Sequence, residues 1–256
     1  MQKKIVVHMY LKNGKAVTGF DGKELLEDGD VMSIAQHYSN NGADELLIFD
    51  LSDDDADHEQ SLNLIRQISR VIDIPMSGGG HIKNLEDVKK LLYAGCQQVF
   101  LNYAKAANID LTEEVSKRFG KEKIAICTDS FAQLQANKAR VNEYTSRVIL
   151  LCDEVDVRTT ARLVEVPVLP VSTRADRHGL LKLLMLDNIC GVCGDTFSDL
   201  NEDLMAAKLE AKKHGVEINT FESNMSWNEL KLNSDGMIPV VVQDYKNLEV
   251  LMVAYM

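Results

Sequence analysis

From residue 4 to about residue 218, short apolar, β-branched runs alternate with stretches of helical periodicity, and that alternation limits the folds open to the chain. The runs are Ile5–Met9, Leu46–Phe49, Ile72–Met76, Val99–Leu101, Ile124–Cys127, Val148–Leu151, Val166–Leu169 and Ile189–Cys193. The stretches between them carry helix start and stop signals. Asn84 is placed as N-cap for Leu85, Val88, Leu91 and Leu92, with Gly95 at the C′ position. Asp30 stands likewise before Val31, Ile34, Ala35 and Tyr38, and Gly42 closes that helix. The last helix runs from about Leu200 to His214 and stops at Gly215. Eight strand–helix units in about 215 residues predict a (β/α)8 barrel over residues 1–218. The competing architecture is an open doubly wound sheet, which the strand count and the lack of a glycine-rich fingerprint after the first strand disfavour.

A loose internal repeat sets the first four strand ends against the last four. It pairs Tyr10 with Asp129, Asp50 with Asp153, Gly78–Gly80 with Ser172–Arg174, and Asn102 with Gly194. After Glu217 the pattern changes. A connector leads to Met225-Ser226-Trp227, which holds the only tryptophan, and then to Ile238–Val242 and Val250–Val253 around a polar turn with Asp244 and Asn247. That is a hairpin signature. A lone hairpin is marginal in water, so residues 219–256 are expected to be a linker and the incomplete opening of a second domain.

A net charge of −11 argues against a nucleic-acid partner or an anionic membrane. It leaves room for phosphorylated small molecules, which need only a local amide-rich or positive pocket. The start, Met1 to Val7, has too short an apolar run for a signal peptide, and no run reaches the ~18 apolar residues of a membrane span. A cytoplasmic location is expected. The cysteines are odd in number, five, and imply no disulfide framework there. Cys190 and Cys193 form a C-x-x-C, but on a strand such positions face opposite ways, so buried thiols are the simpler reading.

Active sites of such barrels form at the C-terminal strand ends. Ser77-Gly78-Gly79-Gly80, read as following the third strand, lets backbone amides converge on an anion. The helix starting at Asn84 can add its dipole, and His81 or Lys83 can reinforce the site. Asp50 and Asp129 each follow an apolar run directly and suit general acid–base work, or an N-cap role. Asp53-Asp54-Asp55 and Asp57 read as a solvated loop face rather than a metal site. Asn102 can donate to a phosphate oxygen or cap its own loop. The usual phosphate site after strands seven and eight is represented by Ser172-Thr173-Arg174 and Gly194-Asp195-Thr196. The first lacks glycines, and Asp195 repels an anion by about 4 kcal/mol at ~4 Å and an effective dielectric of ~20.

GADELLIFDLS (Gly42–Ser52), IPMSGGG (Ile74–Gly80), AGCQQVFLN (Ala94–Asn102) and IAICTD (Ile124–Asp129) resemble the cyclase subunit of imidazole glycerol phosphate synthase. The sister isomerase barrel of histidine biosynthesis is similar too. The resemblance covers about residues 4–218. It implies a barrel without a cofactor that binds a phosphorylated ribosyl small molecule and uses one carboxylate from strand one and one from strand five. Asp129 stands at the second of these, while Asp50, Gly78, Gly79, Gly80 and Asn102 fit the first phosphate side. Followed back from Lys12-Asn13-Gly14, the family's strand-one aspartate falls on Tyr10, and its nearby lysine on Thr18. The Gly-Gly after strand seven is missing. A phenol with a pKa near ~10 is no substitute for a carboxylate base.

The tail, SWNELKLN (Ser226–Asn233) followed by GMIPVVVQD (Gly236–Asp244) and EVLMVAYM (Glu249–Met256), looks like the start of phosphoribosyl-AMP cyclohydrolase. That family is a zinc hydrolase of the same pathway, so zinc is expected only for a completed domain of that kind, and no metal ligand is assigned here. Three readings follow. The barrel is a phosphosugar binder degenerate for the cyclase reaction, a silent scaffold that docks a glutaminase-like subunit or a second copy of itself, or an active cyclase using Asp129 with another base such as His8 or Asp50.

Overall fold

A computed structural model describes residues 2–153, 155–221, 225–244 and 248–256. The chain divides into two compact units, residues 1–220 and 221–256. The first unit opens with strand β1 (Lys4–Lys12), which turns at Asn13-Gly14 into a short hairpin of β2 (Lys15–Thr18) and β3 (Glu24–Leu25). Helix α1 (Val31–Asn40) leads to β4 (Glu45–Asp50), and α2 (Asp55–Ile68) to β5 (Met76–Gly79). Helix α3 (Leu85–Tyr93), β6 (Gln98–Asn102), α4 (Ala106–Phe119) and β7 (Ile124–Thr128) continue the alternation. Next come α5 (Phe131–Ala136), α6 (Lys138–Tyr144), β8 (Arg147–Leu151), α7 (Val157–Leu163) and β9 (Val168–Ser172). Helix α8 (Arg177–Leu184), β10 (Gly191–Gly194), α9 (Asp195–Ser198) and α10 (Leu204–Lys213) complete the unit.

Strands β1 and β4 to β10 pair in parallel in chain order, and β10 closes on β1 through Lys4↔Gly191, Ile5↔Val192 and Val6↔Cys193. This is a (β/α)8 barrel. Its strands bury both faces, which is why they read as nearly unbroken apolar runs. Ile5, Val7, Met9 and Leu11 of β1 face the helices, whereas Val6 and Tyr10 join an inner layer with Leu47, Phe49, Phe100, Cys127 and Cys193. Among the described residues no helix is long and apolar enough to cross a membrane.

The helix signals act as the sequence suggests. Asn84 caps α3 in a reciprocal capping box with Asp87, and Gly95 follows in a positive-φ conformation at +115°. Two strands are displaced from their sequence positions. The third is Met76–Gly79 rather than Ile72–Met76, and the seventh is Val168–Ser172 rather than Val166–Leu169. Each is preceded by a proline, Pro75 or Pro167, which has no N–H to donate to a ladder. These two offer only their carbonyls, to Leu46 and Val148. The Ser77–Gly79 segment is therefore strand, not loop. The acidic run is solvated loop only in part: Asp53 and the cap Asp54 precede α2 and are exposed with Asp55, but Asp55 and Asp57 lie in the first turn of the helix and Asp57 is buried.

At the N-terminal end of the barrel Glu45 accepts from Arg147 Nη1 at 3.0 Å, from Ser77 Oγ at 2.8 Å and from Lys4 Nζ at 3.1 Å. Burial works against its charge, yet the Arg147 guanidinium, with Lys4 and Ser77, holds its carboxyl down at about 2. The C-x-x-C does not pair: all five cysteines are free thiols. Cys190 precedes the regular strand, so alternation does not separate it from Cys193, and both pack against the inner layer.

In the second unit Trp227–Glu229 forms a 3-10 turn boxed by Ser226 and Glu229. Strands β11 (Pro239–Gln243) and β12 (Val250–Tyr255) pair antiparallel, with Val241 opposite Val253 and an irregularity after Val242. Of the expected turn residues, Asp244 joins the hairpin through its N–H to Glu249. Asn247 lies outside the described residues.

Candidate functional site at the barrel mouth

Strand alternation decides which side chains reach the mouth. On β7, Ala125 and Cys127 point inward, and Asp129 continues that phase into a cavity of about 400 Å3 at the C-terminal strand ends. Asp129 has no hydrogen bond or ion pair to any described residue, so its carboxylate is free to act on a ligand. On β4, Leu46 and Ile48 face the helices, and Asp50 shares their phase. It touches the same cavity, but its carboxylate is taken. Oδ2 lies 2.5 Å from His58 Nδ1 of α2, and Oδ1 accepts from the Ser52 amide at 3.1 Å and from the Ser52 hydroxyl. Asp50 therefore braces the loop after β4 instead of offering a free acid.

The glycines line the same cavity for steric reasons. A Cβ on Gly79 would meet Phe100 at 2.3 Å, and one on Gly80 would meet the Asp50 carbonyl at 2.0 Å, at a φ of +114°. Gly80 is the residue for which only glycine serves, and its backbone borders the cavity beside Gly79. Gly78 faces outward against Cys96. The α3 terminus contributes less than its position suggested, because Asn84 Oδ1 takes the Glu86 and Asp87 amides. His81 and Lys83 turn to Asp55, at 2.8 and 2.6 Å. Asn102 borders the cavity, and its Oδ1 caps its own loop through the Ala104 amide at 2.9 Å.

Two cations escaped the sequence reading. Lys12 borders the cavity and pairs with Asp53 at 3.1 Å, and Lys105 precedes α4, whose first turn has no acid and no side-chain cap. The signal for Lys12 was its even-numbered phase after Val6, His8 and Tyr10, hidden because β1 extends to residue 12 through pairing with β2 (Tyr10↔Val17, Lys12↔Lys15). Cys127 is not a nucleophile. Burial, then the Asp129 charge, push its thiol up to about 12.

Tyr10 stands at the mouth of the opening strand, packed against His8, Phe20 and Phe49 with ring centroids 4.8, 4.8 and 5.4 Å away. Its hydroxyl is buried and unpartnered. Burial, and after it the charge of Asp195, push the phenol well above its usual value. Across the mouth the amides after β9 are occupied. Asp153 accepts from Thr173 N at 3.0 Å, from Ser172 Oγ at 2.6 Å and from the Thr173 hydroxyl. Burial opposes ionisation of Asp153, but these hydrogen bonds outweigh it and hold the carboxyl below its usual range.

Fold and mouth together define a (β/α)8 barrel whose C-terminal strand ends enclose a glycine-lined cavity bordered by one carboxylate, that of Asp129, without a partner among the described residues. Residues 4–187 match the family described as histidine biosynthesis protein, and the chain belongs to that family. It is 33% identical over 130 residues to an imidazole glycerol phosphate synthase subunit HisF of Flavobacterium psychrophilum, covering 51% of this chain and 52% of the relative. For the subunit of the same description from Haemophilus influenzae the identity is 32% over 162 residues, 62% of this chain and 60% of the relative. For that of Helicobacter hepaticus it is 34% over 132 residues, 50% and 51%. The matched segment thus spans between half and three-fifths of these relatives' length.

Proposed function

We propose that the barrel holds a phosphorylated ribosyl small molecule by one phosphate, at the Gly79-Gly80 and Asn102 side of its mouth, and has lost the two-carboxylate cyclase reaction. The observation that carries this reading is Tyr10. Where the related cyclases are expected to present a strand-one aspartate, this chain presents a buried phenol pushed away from ionisation. Asp129 is left as the carboxylate in that cavity with free oxygens, because Asp50 is bound by His58 and Ser52 and Asp53 by Lys12. Reversible proton transfer at one centre needs one group, but an acid and a base on opposite faces of a ring need two. The reading asks for no cofactor in the barrel.

The test is titration calorimetry and turnover on the full chain with the bis-phosphorylated ribosyl aminoimidazole intermediate. Binding heat without ammonia-dependent turnover is expected. Turnover that Asp129→Asn abolishes would overturn the loss of cyclase activity, and absence of heat with the fold intact would overturn phosphosugar binding and leave a scaffold.

The relatives are described as subunits, which supports a partner for this barrel too, and a glutaminase-like protein is the one the resemblance implies. The motifs of residues 219–256 resemble part of phosphoribosyl-AMP cyclohydrolase, and the β11–β12 hairpin supports that reading. A chain carrying that domain entire is expected to bind zinc and hydrolyse phosphoribosyl-AMP; metal-free protein without turnover would refute the assignment.

A further inference from the structure

Away from the mouth, a cavity of about 400 Å3 opens on the helical layer between α7, α8 and the loop that leads into β10. Its charge runs against that of the molecule. Arg158, Arg162 and Lys182 line it with a single acid, Asp187, in a chain of net charge −11. None of the three cations makes a side-chain hydrogen bond or ion pair with a described residue. Arg158 and Arg162 stand four apart on α7, so they share one helix face. Arg162 and Lys182 lie in the last turns of their helices, where a cation complements the dipole. Arg158 lies in the first turn, where it does not. Asp156 beside it is engaged with the Arg158 amide at 3.1 Å and with the Thr159 hydroxyl.

The walls of the cavity are tied together. Asn188, in the left-handed region at a φ of +60°, turns its Nδ2 to the carbonyls of Ala161, Val164 and Val166 at 2.9, 3.0 and 3.0 Å. That fixes the end of α7 to the loop after α8. Lys3 holds the same loop from the other side, donating to the Leu186 carbonyl at 3.1 Å and to that of Ile189. The groove is thus a built feature of the fold rather than a gap between loose segments. Met185 and Leu186 give it an apolar wall, and Met185 is left 60% exposed.

We infer that this groove binds an organic phosphate, a phosphate ester dianion held by the two arginines and Lys182, with an apolar or aromatic group laid on Met185 and Leu186. Guanidinium groups take phosphate oxygens in pairs, and an ammonium adds a point charge. Three cations with one acid leave a local charge of +2, which a dianion balances. A thioether and a guanidinium plane both favour an aromatic face. The size is that of a small-ligand site. The groove is separate from the mouth, and its ligand does not depend on phosphate binding there.

The experiment titrates the full chain at low salt and about pH 7.5 with phenyl phosphate, phenol and inorganic phosphate, with ribose 5-phosphate as the probe of the mouth. Phenyl phosphate is expected to bind at least about tenfold more tightly than phenol and about threefold more tightly than inorganic phosphate. Arg158→Gln combined with Arg162→Gln should weaken it about tenfold and Lys182→Gln about threefold, whereas Asp187→Asn should tighten it about threefold. Ribose 5-phosphate binding at the mouth should stay unchanged in all three variants. No phenyl phosphate binding at millimolar concentration, equal binding of phenol, or undiminished binding by the folded double variant overturns the anion groove. Equal binding of inorganic phosphate overturns the apolar half of the ligand. Ribose 5-phosphate that fails to bind the unaltered protein counts against the reading of the mouth only.

Discussion

Replacing Asp153 by alanine is expected to open a second anion site. In the structure its carboxylate already acts as an internal anion, taking the Thr173 amide at 3.0 Å and the Ser172 hydroxyl at 2.6 Å. A phosphate oxygen on that amide would lie about 4 Å from the carboxylate. Two unit charges at that distance repel by about 1 kcal/mol in water and about 4 kcal/mol at an effective dielectric of about 20. Asp153 is half-buried, so a value near 2 kcal/mol, roughly 30-fold in affinity, is the expectation. Calorimetry with ribose 5-phosphate and ribose 1,5-bisphosphate reads it directly. The unaltered protein should bind both alike, whereas Asp153→Ala should prefer the bisphosphate by about 30-fold. Asp153→Asn should recover only part of the gain, because its amide oxygen still accepts from Thr173. If folded Asp153→Ala shows no preference, or the unaltered protein already shows it, the carboxylate is not what closes this side.

Gly80→Ala sets a methyl 2.0 Å from the Asp50 carbonyl at a φ of +114°, and should cost at least about 2–3 kcal/mol in denaturant unfolding and weaken ribose 5-phosphate binding. Asp129→Asn removes a negative charge from the anion cavity and should tighten ribose 5-phosphate about fourfold, a gain that shrinks with salt; weaker binding would mean that the carboxylate contacts the sugar. Glu45 is held at about 2, against an ordinary glutamate value of 4.5. Its contribution, on the order of 3 kcal/mol, is therefore complete above pH ~4.5 and lost as pH falls toward ~2. Glu45→Gln should flatten stability over that window, and also strand Arg147, at a cost of about 3–5 kcal/mol at neutral pH. Tyr10→Phe deletes a buried, unpartnered hydroxyl and should raise the melting temperature of ligand-free protein by about 2–4 °C; a fall would show that the hydroxyl has a partner.

The barrel was legible because eight apolar runs separated by capped helices admit few topologies. Its strand boundaries slipped where Pro75 and Pro167 withheld donors, since a proline inside an apolar run looks continuous in hydrophobicity but not in hydrogen bonding. The site was harder. Asp50 and Asp129 look alike in sequence, each closing an apolar run, but they differ in phase. In a strand buried on both faces, LLIFD carries no polar alternation to reveal which way its aspartate turns. Only the packed helix side, with His58 waiting, settles it. The adjacency of His8 and Asp195 was illegible for another reason. It depends on β10 closing onto β1, a contact between residues at opposite ends of the barrel sequence, set by barrel closure rather than by any local motif.

The proposed replacement at strand one and the carboxylates around Tyr10 belong to one physical account. An aspartate at position 10 would stand near Asp195 and Asp153, whose charges bear on the phenol, and both would disfavour its ionisation. A tyrosine avoids that repulsion and adds aromatic contacts to His8, Phe20 and Phe49, about 0.5–1.5 kcal/mol each beyond burial. With Asp153 filling the amides after β9, no anion needs Asp195 to be absent, and the carboxylates on that side persist without penalty to a phosphate bound at Gly80. Restoring the acid by Tyr10→Asp alone therefore removes the aromatic packing while leaving the repulsion in place. On the reading proposed here, the cyclase reaction is opposed by the carboxylates around position 10 as well as by the missing oxygen pair.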